Sequence, residues 1–361
     1  MDAGAGAGAS GATLDGGQLS RDGSLRDSAG RDLGRNDARR ADQGVKLPPP
    51  GWPQRFGGVG DGGAHSAGVD ATGNLYVVGR IHGNVSFGGP TLLGSDLEDI
   101  VVASFAPDGS HRWSKRFGGK RITRWYTSDG NDSAQSIAVR KSCNIYFTGS
   151  AQGPVDFGGG LLSAAVDTAD VFLASLDASG GYRWARRLGA SSFAGGADVA
   201  LDASENVYLA GNFSGSGNFG GGTLTSAGDR DMVLASFTVL GTHRWSKRFG
   251  GAGFDAGLEM VLDGAENVYL AAEFNQSAVF GTTTFASAGG LDAVLASFTS
   301  LGTSRWAKRY GGAGSDSAWG LTFGTSGEIF LLGGFQQSID VGRGLFTSAG
   351  GWDVFVLRYI P

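Results

Sequence analysis

Asp198 and Glu259 hold equivalent places in two successive repeats, 61 residues apart, where the other copies carry Ser66, Ser136 and Gly320. Two carboxyl groups on one wall can bind a cation or a sugar, or act as the acid and base of glycoside hydrolysis. A second group is local: Arg121, Arg124, Trp125 and Tyr126 crowd basic and large aromatic side chains into one loop after Phe117. Such residues dominate protein contacts, and flat rings also stack on sugars. A third group is repeated. Asp99, Asp170, Asp231, Asp292 and Asp353 recur with Arg55, Arg116, Arg187, Arg248 and Arg309, and Asp99 precedes Arg116 as Asp292 precedes Arg309, by 17 residues. The planar guanidinium fork suits a carboxylate, and a pair present in every copy reads as structural.

Other matches carry less. Asp132, Asp255 and Asp316 follow Gly-rich turns and are expected to cap them. The stretch Asp129–Ser133 lacks the glycine and the distal glutamate of a calcium loop. Gly215, Gly217 and Gly220 fit a dinucleotide fingerprint, but no helical pattern follows them. His65, His82, His111 and His243 have no metal-ligand spacing, and neither a nucleophile elbow nor a zinc-protease helix is written in the chain. No catalytic residue, metal or cofactor is therefore assigned. The binding candidates are Arg121, Arg124, Trp125, Tyr126, Asp198 and Glu259.

The elements that position these residues come from a repeat. Trp52, Trp113, Trp184, Trp245 and Trp306 are each followed three residues later by Arg, with gaps of 61, 71, 61 and 61 between the tryptophans. A fixed period of this length marks a repeat architecture. Within one unit, Val199–Leu201, Asn206–Gly211, Asp231–Phe237 and His243–Phe249 are β-branched and aromatic runs separated by Asp, Asn, Ser and Gly. They read as four short strands joined by turns, with Phe219–Gly222 as a Gly-rich connection. Four-stranded units in series describe the blades of a β-propeller. The five Asp mark five third strands, yet the chain ends soon after Asp353, whereas an unmatched fourth strand, Trp52–Phe56, stands at the start. The expectation is an all-β, single five-bladed propeller of four-stranded antiparallel blades over 49–361, closed by the N-terminal strand completing the last blade. That arrangement leaves no open sheet edge, and Pro53 fits an outer strand.

Composition agrees. Glycine accounts for 66 of 361 residues and proline for 8, which favours turn-rich β structure over collagen. Residues 1–48 are rich in Gly, Ala, Asp and Arg with almost no aromatic residues, so a disordered linker or tether is expected there. The net charge of -5 argues against nucleic acid as a partner. No apolar run reaches the about 20 residues of a membrane span, and the start lacks the apolar core of a signal peptide. The single cysteine, Cys143, allows no internal disulfide. A monomer is expected.

Runs such as Trp306–Asp316 and Val69–Gly79 resemble the bacterial beta-propeller repeat, or SBBP-repeat, family, over about 52–361. The resemblance implies a propeller and a place at the bacterial cell envelope or outside the cell. It supplies no catalytic residue, and the family name implies seven blades where this chain counts five. The expected function is non-enzymatic recognition of a glycan or protein partner; the alternative is a glycoside hydrolase using carboxylates at the channel mouth.

Overall fold

A computed structural model describes residues 52, 54–58, 61–95, 97–118, 132–163 and 169–361. The chain divides into Met1–Pro48 and Pro49–Pro361, and every described residue belongs to the second unit. Strands make up its regular structure, and no helix occurs among the described residues. Among the described residues they form five larger antiparallel meander sheets, here numbered I to V in chain order, and two small two-stranded ones, Gly57–Gly58 with Val85–Ser86 and Val155–Asp156 with Leu161–Leu162. Sheet I comprises Gly62–Val69, Leu75–Ile81, Asp99–Phe105 and His111–Phe117; sheet II comprises Ser133–Val139, Ile145–Gln152, Ala169–Leu176 and Tyr182–Ala190. Sheet III comprises Phe193–Leu201, Val207–Ser214, Asp231–Phe237 and His243–Gly251; sheet IV comprises Asp255–Leu262, Val268–Phe274, Asp292–Phe298 and Ser304–Tyr310. Sheet V has three strands, Asp316–Phe323, Ile329–Asp340 and Leu345–Tyr359.

The turn between the first two strands shows how the repeat encodes its own geometry. Asp70 accepts from the backbone N–H groups of Thr72 and Asn74, from the Asn74 amide and from the Tyr76 hydroxyl. Asp202 and Asp263 do the same for Asn206 with Tyr208 and for Asn267 with Tyr269. A short side chain that mimics the backbone is what closes such a turn. Sheet II has Arg140 at this place, and the missing carboxylate comes from next door: Glu205 of sheet III accepts from the Ser142 backbone and hydroxyl and lies 3.4 Å from the Tyr146 hydroxyl.

The third strands of sheets I, III and IV are buried along their whole length because both faces are covered, which is why they read as unbroken apolar runs. Four hydrophobic clusters hold the molecule together, and each joins one sheet to the next. Ile100 and Tyr76 meet Phe147 and Phe172; Leu173 and Tyr146 meet Leu209 and Phe213; Leu234 meets Phe274 and Met260; Leu295 and Tyr269 meet Leu331 and Phe355. Stability of this kind accrues sheet by sheet through neighbour contacts. The tryptophans stitch the outer side. Trp113, Trp184 and Trp245 each donate from Nε1 to a loop carbonyl of the following sheet, Ala178, Val239 and Ser300, at 3.0 Å. The arginine before each one reaches back to a tyrosine and a serine of its own sheet, as Arg244 does to Tyr208 and Ser236.

One finding adds to the sequence expectation and another bears on closure. The Gly-rich connections are the tips of small hairpins, and two of these hairpins pair with the last strand of the preceding sheet. Ser216–Asn218 lies on Gly189–Ala190, and Ser277–Phe280 lies on Gly250–Gly251. Glycine is required where the fourth strand crosses the tip: a Cβ on Gly221 would sit 2.2 Å from the His243 ring. The finding that bears on closure concerns Trp52 and Gln54–Phe56. The neighbouring Gly57–Gly58 pairs with Val85–Ser86, in the connection between the second and third strands of sheet I, and Trp52 donates to the Pro107 carbonyl at 3.3 Å. Phe56 stacks on Phe105 at 4.7 Å. These are the contacts that the fourth strand of a preceding sheet makes. Among the described residues, Leu345–Tyr359 pairs only with Ile329–Asp340, so the expected pairing of the N-terminal segment with the fifth sheet is not among the observed ones, while hydrogen bonds and aromatic contacts seat that segment on sheet I.

Candidate functional site

Of the candidates that can be located, Asp198 and Glu259 lie past the middle of the first strands Phe193–Leu201 and Asp255–Leu262, whereas the repeated Asp and Arg residues lie toward the end of the sheets where first strands begin and fourth strands finish. The repeated ion pairs occupy that end. Arg116 holds Asp99 through two bonds of 2.6 and 3.0 Å, Arg187 holds Asp170 at 2.7 Å, Arg248 holds Asp231 at 2.5 Å, and Arg309 holds Asp292. The same carboxylates accept loop N–H groups, from Ser95, Ala227 and Ala288. Asp353 accepts the matching bond from Ala349, but no ion pair joins it to Arg55 among the described residues.

A second carboxyl stands beside three of these pairs. Burial pushes Asp132 and Asp255 up to about 7 and Asp316 up to about 6, and the neighbouring Asp99, Asp231 and Asp292 add to the effect. A Cβ on Gly250 would lie 2.7 Å from an oxygen of both Asp231 and Asp255, so glycine alone leaves room for the pair. Asp255 and Asp316 also cap turns as expected, accepting from the Gly251 and Gly312 N–H groups. Ala194 takes this place at the junction of sheets II and III, and there Arg187 turns to the carbonyls of Gly153 and Ala151.

The two carboxylates expected to work as a pair have different surroundings. Asp198 follows a bulge in the first strand of sheet III. It accepts from the Ser136 hydroxyl at 2.5 Å, the Val199 N–H at 2.8 Å and the Met260 N–H at 2.7 Å, thereby joining sheets II, III and IV. Ser66 and Ser136 accept the equivalent N–H of the following sheet, from Ile137 and Val199, so this position is a repeated inner seam. Burial raises the Asp198 carboxyl against these bonds. Glu259 accepts no hydrogen bond among the described residues; burial, with the nearby Asp198, pushes it up to about 7. Asp198 is thus pinned, while Glu259 can gain or lose a proton near neutrality.

One cluster at this end was not legible in advance. The Arg230 guanidinium lies 4.2 Å from the Phe193 ring centroid and 5.0 Å from that of Phe254. Its side chain has no acceptor among the described residues. Phe193 begins the first strand of sheet III, Arg230 precedes the third strand of that sheet, and Phe254 precedes the first strand of sheet IV. Phe193 and Phe254 are 61 residues apart, and Ser315 takes the next place; that departure from the repeat was the available signal. Arg121, Arg124, Trp125 and Tyr126 lie outside the described residues. Among the described residues no group of three or more His, Cys, Asp and Glu could hold a metal ion, and no helix is long and apolar enough to cross a membrane. No family model matches the chain, and neither does any curated protein.

Proposed function

We propose that the chain is a non-enzymatic recognition module, a five-bladed β-propeller that presents a glycan-binding surface at the end where its first strands begin. The observation that carries this reading is the commitment of Asp198. Its oxygens accept three hydrogen bonds from three sheets, which leaves Glu259 as a lone carboxyl, whereas hydrolysis of a glycosidic bond calls for two working ones. Supporting it, the repeated Asp and Arg residues are spent on ion pairs and turns, and Phe193, Arg230 and Phe254, which the other sheets do not repeat, gather at the end where first strands begin.

Five blades are supported by the five equivalent sheets and by the seat of Trp52 on sheet I, which repeats the seats of Trp113, Trp184 and Trp245. Trp319, Trp352, Val354 and Val356 of sheet V are exposed, and closure would cover them. A location in the cell envelope or outside the cell rests on the family resemblance and on the composition of residues 1–48. A glycan array followed by calorimetry tests the function: one site per chain and no turnover of the bound glycan are expected. Release of a hydrolysed product that stops in Glu259→Gln would establish the hydrolase alternative instead.

A further inference from the structure

We propose that Arg230, held against Phe193 and Phe254, anchors a binding site for the carboxylate of an acidic sugar at the junction of sheets III and IV. The inference rests on the recognition-module reading and names its ligand class. Two aromatic rings cover guanidinium surface without consuming its N–H groups, because a ring attracts the cation through its face and accepts no strong hydrogen bond. Ordinary partners for such a group are missing. The Asp231 carboxylate beside it in sequence is taken by Arg248 and the Ala227 N–H. Burial disfavours the Arg230 charge, yet arginine stays protonated in proteins. A partly buried cation with a free planar fork is compensated best by a two-oxygen anion, and carboxylate geometry matches it.

The neighbouring polar groups point to a sugar. Asn275 uses its Oδ1 to accept the Phe254 N–H at 2.7 Å, and Asn212 uses its Oδ1 to accept the Gly257 N–H at 2.8 Å. Each amide is thereby oriented, and each Nδ2 is left without a partner among the described residues. Asn275 is held against Phe254, one of the two rings on Arg230, and Asn212 pairs in register with Met232, two residues from Arg230; oriented neutral donors so placed suit hydroxyls flanking a carboxylate. An acidic peptide would call for further cations, and Arg248 is already paired. Sheets I, II and V do not repeat the arrangement: Arg230 is matched there by Glu98, Ala169 and Trp352. One site per chain follows.

The test uses the full chain and three calorimetric probes: a galacturonate oligosaccharide, its neutral galactose counterpart and a poly-glutamate peptide. The galacturonate probe is expected to bind with a stoichiometry of one, weakening as salt rises. Arg230→Lys keeps the charge but loses the fork, and is expected to weaken binding about tenfold or more at unchanged thermal stability. Equal binding of the acidic and neutral sugars, or unchanged affinity in Arg230→Lys, overturns the carboxylate site while leaving the recognition module standing. Binding of poly-glutamate alone overturns the sugar class. Turnover of the oligosaccharide overturns the module reading itself. If Arg230→Lys melts early but binds normally, Arg230 only fastens the two sheets, and the inference fails.

Discussion

The buried carboxyls behave differently according to their company. Arg187 and Asp170 are the most enclosed pair, with side-chain exposures of 8% and 2%, while Arg116, Arg248 and Arg309 remain about a third exposed or less. Removing one partner of a buried pair strands the other charge at a cost of about 3–5 kcal/mol. Arg187→Ala should approach that loss in denaturant unfolding, and Arg248→Ala should fall below it because water reaches its carboxylate through the vacated side chain. The second acid set acts in the opposite sense. Asp132, Asp255, Asp316 and Glu259 hold their protons more tightly folded than unfolded. Between the ordinary carboxylate range near 4 and their folded values near 6–7, the native state binds more protons, so stability falls as pH rises. Asp70 and Asp263 are shifted downward and lose their contribution only below about pH 4. The melting temperature should therefore be higher at pH 5 than at pH 8, and Asp255→Asn should flatten that slope; a midpoint that climbs from pH 5 to pH 8 would refute the assignment.

At the scale of elements, the strands were legible because local rules set them: Asp-x-x-x-Asn turns, unbroken apolar third strands, and an Arg 17 residues after its Asp. The small hairpins were not, since the pairing partner of two of them lies in the preceding sheet and their strands are only two to four residues long. Arg230 is harder to read for a related reason: the repeat marks Phe193 and Phe254 as a departure, but does not reveal that a cation from the third strand's start lies against both rings. The hairpins can be tested through two glycines. A Cβ on Gly251 would stand 1.8 Å from the Ser277 carbonyl oxygen, whereas one on Gly264 would meet nothing within 4 Å. Gly251→Ala should thus cost about 2 kcal/mol or more by lifting the Ser277–Phe280 strand, and Gly264→Ala should change stability by no more than about 0.5 kcal/mol. Equal melting temperatures for the two variants would mean that the hairpin contributes nothing to the joint.

For the whole molecule, the open question of closure has a defined register. Val294 pairs with Arg309 and Leu295 with Lys308 in sheet IV; by the 61-residue repeat, Phe355 would pair with Arg55 and Val356 with Gln54. With Cys143 replaced by serine, Gln54→Cys combined with Val356→Cys should oxidise to a disulfide within one chain if the ring closes on itself. A disulfide-linked dimer would show the strand exchanged between copies, and no disulfide at all would reject the shared last sheet. Truncation gives an independent reading. Deleting residues 1–57 removes the Trp52 bond to Pro107 and the Phe56–Phe105 stack and should lower the melting temperature by several degrees, whereas deleting 1–46 should leave it unchanged.

The hairpins Ser216–Thr225 and Ser277–Ala286 reach backwards, onto strands that the ribosome has already released. Those two joints can consequently form in the order of synthesis, each new sheet docking on a finished edge, while the sheet II turn waits for Glu205 of the sheet that follows. Only the last seam would depend on the full length, since it would unite residues near 54 with residues near 356. Joining such distant segments carries the largest loop-closure entropy in the molecule, which makes ring closure the step where refolding should be slowest and where an unfinished molecule would stay exposed longest to other chains.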